Sequence, residues 1–340
     1  MVNKFIINST APVRISLCNG GDTDYYIKSM GWGNIINATL STHGYRCLVE
    51  PKNQEFINYT YINNFSKTNV NYKITDLNTK DDNLKLITTT IKRISPNFKG
   101  NLTIITNVPE RSGLGGSSSL LVALIKSLMK MNGKILIPEE IAELSYKIER
   151  KILGIGGGYQ DQWAAAFGGG VNYLEFRKNN VFLEPLWLHE DLMNWLEKHL
   201  LLFYLEPRLS DSGSQHKEQE KNFQNDKDKL NTMLKRRENV LKTRDALLNG
   251  NIYKFADLIR KEHYHKNSID PKTTTSKSNF IYQEAVNNGA IAGKISGAGR
   301  GGCAIFITEI KNRQNIIEKL RNFGAIHMPI KLQRLHQMGE

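Results

Sequence analysis

The sequence predicts an α+β fold in two domains, an N-terminal domain over 1–190 and a C-terminal domain over 191–340. A chain of 340 residues usually divides in this way and can bury a sizeable core. Short strand patterns dominate the first domain, whereas long helical patterns dominate the second. Hydrophobic residues make up 40% of the chain and charged residues 23%, the composition of an ordinary globular protein.

The N-terminal domain begins with strands. The strand patterns are FIINST, VRISL, NIINATL, YRCLVE and NLTIITNV, which start at residues 5, 13, 34, 45 and 101. Helices are predicted next, at 117–131 and 138–153, and the strands VNYLEF and NVFLEPLWL close the domain. Pro138 in the first turn of the second helix and Gly154 beyond its end are the usual start and stop signals.

The C-terminal domain is predicted to be mainly helical. Helices are expected over 226–249, 254–265 and 279–289, followed by a glycine-rich loop, the strand CAIFIT, and a last helix and strand. The first of these helices is expected to bury one apolar side, formed by Leu230, Met233, Leu234, Val240, Leu241, Leu247 and Leu248. The polar stretches 206–228 and 266–278 are predicted to be mobile loops.

The net charge of +13 favours anionic partners such as nucleotides, phosphorylated metabolites or nucleic acid. We expect no nucleic-acid partner, because the densest basic runs lie on a helical pattern with acids interspersed. No membrane partner is expected either, since no apolar run reaches about 18 residues. The start of the chain lacks the pattern of a signal peptide, and three scattered cysteines suit a reducing compartment. These features predict a cytoplasmic protein.

The stretch NVPERSGLGGSSSLLVALI, residues 107–125, combines a strand end, a glycine-rich turn and a helix start. This arrangement directs free backbone N–H groups at an anion, and glycines allow the backbone to approach a phosphate closely. A plain helix cap would need only one serine and one glycine. The loop is not a Walker motif, because GxxxxGK[ST] is absent from the chain. A formal GxGxxG begins at Gly297, but a strand rather than a helix follows it, which excludes a dinucleotide-binding motif.

Three motifs together resemble those of the GHMP kinase superfamily. PERSGLGGSSS at 109–119 is similar to its PxxxGLGSSA phosphate-binding motif. APVRISLCNGGDTDYY at 11–26 is similar to the N-terminal sugar-kinase signature, and KISGAGRGGCAIF at 294–306 to the C-terminal glycine motif. The resemblance implies a GHMP kinase fold, with an N-terminal ribosomal-protein-like α/β domain and a C-terminal ferredoxin-like α+β domain.

Within the superfamily, the combination of GGDTD, GLGGSS, IERKILGIGGGYQDQWAAAFGG and SGAGRGG most resembles the D-glycero-D-manno-heptose 7-phosphate kinases. This implies an enzyme that uses ATP and Mg²⁺ to phosphorylate the anomeric hydroxyl of a sugar phosphate, as a monomer or a homodimer. Two alternatives are another GHMP sugar kinase, of the fucose or galactose type, and a non-catalytic sensor that binds ATP and sugar.

The resemblance implies which residues hold ATP and the metal ion. The ATP-binding residues would be Pro109, Gly113, Leu114, Gly115, Gly116, Ser117, Ser118 and Ser119. Mg²⁺ would be held by Ser117 and Glu149, with Ser118 as the near alternative, because Gly116 stands where the motif usually has its first serine. Glu149 is also unusual by itself, since it lies in a last helical turn with no cation three or four residues away. The alternative for Glu149 is a salt bridge to a distant lysine or arginine.

The resemblance also implies the catalytic pair Asp161 and Arg14. Asp161 follows three glycines and starts an apolar helix, where a carboxylate remains ionised. It would remove or orient the proton of the acceptor hydroxyl, and the alternative is a simple helix cap. Arg14 would lie near the transferred phosphoryl group, and the alternative is a strand-edge arginine paired to a carboxylate.

The acceptor sugar would be bound by the first and third motifs and by the loop before Asp161. The residues implied are Gly21, Asp22, Thr23, Asp24, Gly157, Gly158, Gly297 and Gly299. Galactokinase-type chains have GEHTDY where this chain has GGDTDY, which disfavours a galactose pocket. A phosphate on the acceptor needs cations, for which Arg208, Lys266 and Arg300 are candidates.

Overall fold

The computed structural model describes residues 5–20, 23–79, 81–178, 180–208, 226–297 and 299–338. The α-helices of this part of the chain are α1 (Thr23–Met30), α2 (Asp82–Ile94), α3 (Gly116–Met131), α4 (Pro138–Tyr146), α5 (Gln160–Phe167), α6 (Glu190–His199), α7 (Lys227–Leu248), α8 (Ile252–Ile269), α9 (Ser276–Asn287) and α10 (Ile310–Asn322). The strands are β1 (Ile7–Cys18), β2 (Trp32–Pro51), β3 (Ile57–Asn63), β4 (Thr68–Ile74), β5 (Gly100–Thr106), β6 (Val171–Arg177), β7 (Asn180–Pro185), β8 (Leu200–Glu206), β9 (Ala290–Ile295), β10 (Gly302–Thr308) and β11 (Ile326–Met328). The predicted acceptor residues Gly21 and Asp22 lie outside the described residues, as does most of the polar stretch 206–228.

The larger sheet has seven strands and supports the first two motifs. Its order is β4-β3-β5-β2-β6-β7, with β1 paired to β2. Only β3 and β5 pair in parallel; the other described pairs of this sheet are antiparallel. The helices α3 and α5 pack on β1 and β2, and α3 buries the apolar run from Leu121 to Ile125 completely. The first motif on β1 and the phosphate-binding loop before α3 are therefore held by one core.

The smaller sheet has four antiparallel strands in the order β11-β8-β10-β9. Its core contains Phe203 and Phe306, and the helices α9 and α10 supply Ile281, Ile316 and Leu320 to it. The third motif connects β9 to β10. One mixed and one antiparallel sheet, with helices packed against them, confirm the predicted α+β class, whereas the domain boundary at 190 stays a prediction.

The structure corrects several sequence-based boundaries. The predicted helix over 138–153 ends as α-helix at Tyr146 and continues as a π-helix over Lys147–Ile152. The prediction of a mobile loop at 266–278 is wrong, because α8 extends to Ile269 and is followed by a short 3-10 turn and by α9. β8 was not predicted, since its sequence LLLFYLE lacks alternation, and periodicity does not separate a fully buried strand from a helix.

The buried side of α7 also differs from the predicted apolar side. Leu234, Leu241 and Leu248 are exposed. Arg236 and Asn239 are instead buried, together with several apolar residues of the same helix. This side of α7 packs on α8, from which the acid Glu262 meets Arg236 in the interior. Among the described residues, no helix is long and apolar enough to cross a membrane.

Candidate active site

The three motifs converge on one cavity of about 380 Å³. The predicted site residues that line it are Arg14, Pro109, Gly113, Gly115, Gly116, Ser117, Gly157, Gly158, Asp161 and Gly297. The predicted residues that are described but lie outside its lining are Thr23, Asp24, Leu114, Ser118, Ser119, Glu149 and Gly299. Stretches far apart in sequence therefore meet at one place, next to the N-terminus of α3.

The phosphate-binding loop is a tight turn anchored on β1. Gly113 and Gly115 have φ values of +81° and +80°, a left-handed conformation that glycine adopts without strain. The backbone N–H of Arg14 donates to the carbonyl of Leu114 at 3.1 Å, and the Ser119 hydroxyl donates to the Pro12 carbonyl at 2.7 Å. These bonds fix the loop so that the first turn of α3 opens towards the cavity.

Gly116 departs from the family motif, and Tyr45 of β2 supplies a physical reason. A Cβ atom at Gly116 would lie 2.9 Å from the hydroxyl oxygen of Tyr45, too close for any side chain without a shift. The Tyr45 side chain therefore occupies the space that a serine at this position would need.

Glu149 is fully buried and is held by three hydrogen bonds. The hydroxyls of Ser117 and Ser118 donate to its Oε1 and Oε2 at 2.8 and 2.7 Å. The side-chain amide of Gln162 donates to Oε2 at 2.6 Å. The alternative of a salt bridge is less well supported, because Nη2 of the neighbouring Arg150 lies 4.0 Å from Oε2 of Glu149. Hard oxygen atoms of two serines and one carboxylate are thus gathered beside the phosphate-binding loop, which is a donor set that suits Mg²⁺.

Arg14 and Asp161 form an ion pair across the cavity wall. Nε and Nη2 of Arg14 both donate to Oδ1 of Asp161, at 2.9 and 2.6 Å, and Nη1 donates to the carbonyl of Gly113 at 2.6 Å. A register shift in the β1–β2 pairing between Pro12 and Arg14 accompanies this orientation, as expected where a strand redirects a side chain. Burial alone would raise the pKa of Asp161, but the positive charges of Arg14 and Arg150 outweigh it and lower the pKa below its usual range.

The loop before α5 is shaped by Arg150, which the sequence analysis did not identify. Nη1 of Arg150 donates to the carbonyls of Gly156 and Ile155 at 2.8 and 3.3 Å. A Cβ at Gly157 would lie 2.9 Å from its guanidinium, so glycine is required for the loop to close over the arginine. The result is a loop whose conformation depends on one partly buried cation beside Asp161.

The first motif meets this loop through Thr23. The backbone N–H of Tyr159 donates to Oγ1 of Thr23 at 2.8 Å, and a Cβ at Gly158 would overlap that oxygen atom. Asp24 accepts a bond from the hydroxyl of Tyr146 at 3.3 Å, and burial raises the pKa of its carboxyl. Thr23 and Gly158 therefore join two predicted acceptor-binding segments by direct packing.

The glycines of the third motif have two different surroundings. Gly297 lines the cavity, whereas Gly299 packs on the turn before α9, where its Cβ would overlap the carbonyl of Thr273. Of the three cations proposed for an acceptor phosphate, Arg208 lines the cavity. Arg300 lies 3.6 Å from Asp270, and Lys266 donates to the carbonyls of Ile295 and Gly297, so neither belongs to the lining.

A buried ionic cluster supports the first and third motifs from behind. Glu262 pairs with Arg236 at 2.7 Å, and both are buried with Lys266 and Lys294. Lys294 donates to two carbonyls of the first motif at 3.0 Å, while Lys266 donates to the third motif. Burial lowers the pKa of Lys294 to about 8 and that of Lys266 well below its usual value. Glu262 thus balances three buried cations that hold the two glycine motifs together.

Replacing Glu262 with glutamine is expected to lower the free energy of unfolding by about 3–5 kcal/mol, because it leaves buried cations unpaired. Urea unfolding followed by circular dichroism measures this loss. Glu238→Gln, at an exposed position of α7, is the matched control and should change stability by less than about 0.5 kcal/mol. Adding Lys294→Met to Glu262→Gln should restore part of the loss. A loss below about 1 kcal/mol in the single variant would contradict the charge balance described.

Several residues of the site were missed because no local sequence signal identifies them. Tyr45, Arg150 and Gln162 act through contacts with residues of other elements, and each also fits an ordinary strand or helix pattern. Glu110 and Arg111 also lie in the cavity lining, beside Pro109. They occupy variable positions of the phosphate-binding motif, for which the sequence predicts no role. Only the neighbouring Glu149 and the glycine run could have drawn attention to Arg150.

The cavity contains the parts that phosphoryl transfer requires. These are a glycine–serine turn at a helix N-terminus, a set of oxygen donors beside it and an ion pair. They define a class of phosphotransferases that bind the phosphates of a nucleotide mainly through backbone.

Two family models match the chain. The model described as GHMP kinases N terminal domain matches residues 84–169, and the one described as GHMP kinases C terminal matches residues 243–326. The D-glycero-alpha-D-manno-heptose 7-phosphate kinase of Campylobacter jejuni serotype O:2 is 31% identical over 326 residues, which are 93% of each chain. The chain therefore belongs to the GHMP kinase family and is an ATP-dependent kinase.

Solved structures agree with this assignment. A D-glycero-D-manno-heptose 1-phosphate kinase from Bacteroides thetaiotaomicron is similar with a TM-score of 0.77 and 27% identity, covering 96% of both chains. A galactokinase from Lactococcus lactis, solved with galactose, has a TM-score of 0.75 at 18% identity over 96% of this chain and 93% of its own. The second likeness concerns the fold alone. The predicted family, fold and enzyme class are thereby confirmed.

Proposed function

We propose that the protein transfers the γ-phosphoryl group of MgATP to the anomeric hydroxyl of D-glycero-D-manno-heptose 7-phosphate, giving the 1,7-bisphosphate for nucleotide-heptose synthesis. The observation that carries the proposal is the charge of the cavity. Four arginines line it, Arg14, Arg111, Arg150 and Arg208, against the two carboxylates of Glu110 and Asp161. This excess of positive charge suits an acceptor that itself carries a phosphate, in addition to the nucleotide. The 31% identical heptose 7-phosphate kinase supports the same acceptor.

The metal site is proposed at the oxygen atoms of Ser117 and Glu149, with Ser118 as the second serine. Glu149 provides a buried negative charge, and both serine hydroxyls reach it. Mg²⁺ bound here would neutralise charge on the β- and γ-phosphates. The N–H groups at the start of α3 and the serine hydroxyls then hold the phosphates in place, with Pro109, Gly113, Leu114, Gly115, Gly116 and Ser119 shaping the turn.

Asp161 is proposed to orient the acceptor hydroxyl through Oδ2, which accepts no hydrogen bond within the described part of the chain. Its Oδ1 already accepts two bonds from Arg14, and its lowered pKa makes it a weak base. A loose transition state needs little base assistance before the bond to phosphorus forms, so the proton can reach Asp161 late in the transfer. Arg14 holds the carboxylate in place and supplies positive charge next to the transferred group.

The remaining assignments are part of the same proposal. The acceptor would lie against the loops that carry Gly21, Asp22, Thr23, Asp24, Gly157, Gly158, Gly297 and Gly299. We further propose that the domains meet near residue 190, that the protein works in the cytoplasm, where ATP and sugar phosphates occur, and that it is a monomer or a homodimer.

The acceptor is tested by measuring ADP release with ATP and Mg²⁺ over a panel of sugars. The panel contains D-glycero-D-manno-heptose 7-phosphate, the heptose 1-phosphate, mannose 6-phosphate, free mannose, galactose and fucose. Turnover confined to the heptose 7-phosphate, with a phosphorus resonance from a new anomeric phosphate, is the expected result. Preference for free fucose or galactose would contradict the proposed acceptor but would still agree with a sugar kinase. ATP binding without turnover on any acceptor would favour a non-catalytic sensor.

A further inference from the structure

Arg208 is a buried cation placed between two of the three motifs. It lies two residues after the end of β8, is 6% exposed and lines the cavity. A Cβ at Gly113 of the phosphate-binding loop would overlap its Nη2 atom, and so would a Cβ at Gly297 of the third motif. Two glycines from different ends of the chain therefore make room for one guanidinium group.

The donor groups of Arg208 are only partly used by the residues that the structure describes. Nη2 donates to the carbonyl of Ser296 at 3.1 Å, but the buried Nε has no partner among the described residues. Leaving a buried donor unpaired is costly, and more so when the group is charged. A guanidinium offers five donors in a planar fork that matches the oxygen atoms of a phosphoryl group. The unpaired Nε indicates that an anion binds at this position during the reaction.

The charges around Arg208 point to the same conclusion. Burial and the neighbouring charge of Arg14 lower the pKa of Arg208 to about 10, against the opposing effect of Asp161. One carboxylate carries a single negative charge, so Asp161 cannot neutralise both arginines, and its Oδ1 already accepts two bonds from Arg14. Three guanidinium groups, those of Arg14, Arg150 and Arg208, therefore act on one carboxylate at the cavity wall.

The contacts of Arg208 also decide which phosphoryl group it would bind. It touches Gly113, whose carbonyl accepts from Arg14, and it lies within electrostatic range of Asp161, beside which the acceptor hydroxyl is proposed to bind. A phosphate at the far end of a seven-carbon sugar would be several bonds away from that hydroxyl. The position of Arg208 is thus next to the reacting centre and not at the remote end of the acceptor.

We propose that Arg208 binds the phosphoryl group while it is being transferred and stabilises its charge together with Arg14. In the transfer, the acceptor oxygen forms a bond to the γ-phosphorus, the bond from that phosphorus to the β,γ-bridging oxygen breaks, ADP leaves, and the hydroxyl proton passes to Asp161 or to solvent. Arg208 forms no covalent bond; it donates hydrogen bonds to the oxygen atoms of the moving group. This inference rests on the proposed transfer site and not on the identity of the acceptor.

The first test compares Arg208→Gln and Arg208→Lys with the wild type and with Arg244→Gln, which removes an arginine that is paired to Glu184 and does not belong to the cavity lining. Arg208→Gln should lower kcat about 100-fold, the size of effect seen when one donor to a transition-state oxyanion is removed. KM for ATP and for the acceptor should stay within about threefold, because binding of the ground state is little changed. Arg208→Lys keeps the charge and should recover part of kcat, while Arg244→Gln should match the wild type.

The second test needs no acceptor. Binding of ADP with Mg²⁺ and tetrafluoroaluminate, a mimic of the phosphoryl group in transfer, is measured by calorimetry against binding of ADP with Mg²⁺ alone. Arg208→Gln should weaken the tetrafluoroaluminate complex about 100-fold and leave ADP binding within about threefold. If the wild type turns over no sugar phosphate, the proposed acceptor fails, but this measurement still tests Arg208.

Three results would overturn the inference. A raised KM confined to phosphorylated acceptors, with kcat unchanged, would assign Arg208 to the acceptor's own phosphate. Equal losses of ADP and tetrafluoroaluminate binding would make it a nucleotide-binding residue. A fall in melting temperature with kcat and tetrafluoroaluminate binding unchanged in Arg208→Lys and Arg208→Gln would make it purely structural.

Discussion

Replacing Asp161 with asparagine is expected to lower kcat about 1,000-fold, within the range for loss of a group that assists proton transfer and positions the acceptor. The amide has nearly the same shape but no charge, so it cannot balance Arg14 or accept the proton. KM for ATP should change little, because the nucleotide is held mainly by the loop before α3. Steady-state ADP release with saturating acceptor measures the effect. Asp257→Asn, which removes a surface carboxylate of α8, is the matched control and should keep the wild-type rate.

The lowered pKa of Asp161 adds a prediction about pH to the same experiment. Because the carboxylate is already ionised well below neutral pH, kcat should show no acidic limb between about pH 5 and 7. A carboxyl with a depressed pKa in the folded state adds stability above its unfolded pKa, which is lost as the pH falls through the folded value. The wild type should therefore lose this part of its stability below about pH 4, and Asp161→Asn should not. A kcat of Asp161→Asn within about tenfold of the wild type would contradict the proposed role.

The phosphate-binding loop could be predicted from the sequence because its signal is local. A strand, a run of glycines and serines and an apolar helix follow one another within 19 residues, and the structure has β5 and α3 on either side of the turn. Arg14, Glu149 and Asp161 were identified through the family resemblance, and the structure brings Arg14 and Asp161 into contact across 147 positions. No property of either residue alone predicts that pair, since it depends on how α5 packs against β1.

What the sequence could not predict are positions whose meaning depends on a distant neighbour. Gly116 departs from the motif, and its reason lies in Tyr45 of another element, whose hydroxyl group occupies the space that a side chain at 116 would need. The buried side of α7 was predicted from leucine spacing, but Arg236 is buried instead, because Glu262 of α8 provides its partner. Periodicity assumes that buried means apolar, and it fails where a buried charge pair supplies the contact. These exceptions occur next to the glycine motifs, where polar interior groups hold loops in place.

The second large effect is expected for Glu149→Gln, which should lower kcat about 100- to 1,000-fold at ordinary Mg²⁺ concentrations. Glutamine has the size of glutamate and can still bond to Ser117 and Ser118, so the loop should keep its shape. The loss follows from removing the buried negative charge that would hold a divalent cation beside the phosphates. The Mg²⁺ concentration that gives half-maximal rate should therefore rise, and excess Mg²⁺ should restore part of kcat.

A purely structural role for Glu149 predicts different results for the same variant. If the carboxylate only tied α3 to α5 through Ser117, Ser118 and Gln162, then Glu149→Gln would lower the melting temperature without changing the Mg²⁺ requirement. Gln162→Leu separates these contributions, because it removes one bond to Glu149 and keeps its charge. It should lower stability by about 1–3 kcal/mol, since it leaves part of a buried carboxylate unsatisfied, and should leave the Mg²⁺ titration unchanged. Glu175→Gln, on β6, where the carboxylate accepts bonds from Tyr173 and from the exposed Arg177, controls for loss of a negative charge in general. If the Mg²⁺ titration shifts in Glu149→Gln and in neither of the other two variants, Glu149 belongs to a cation site and does not have a purely structural role.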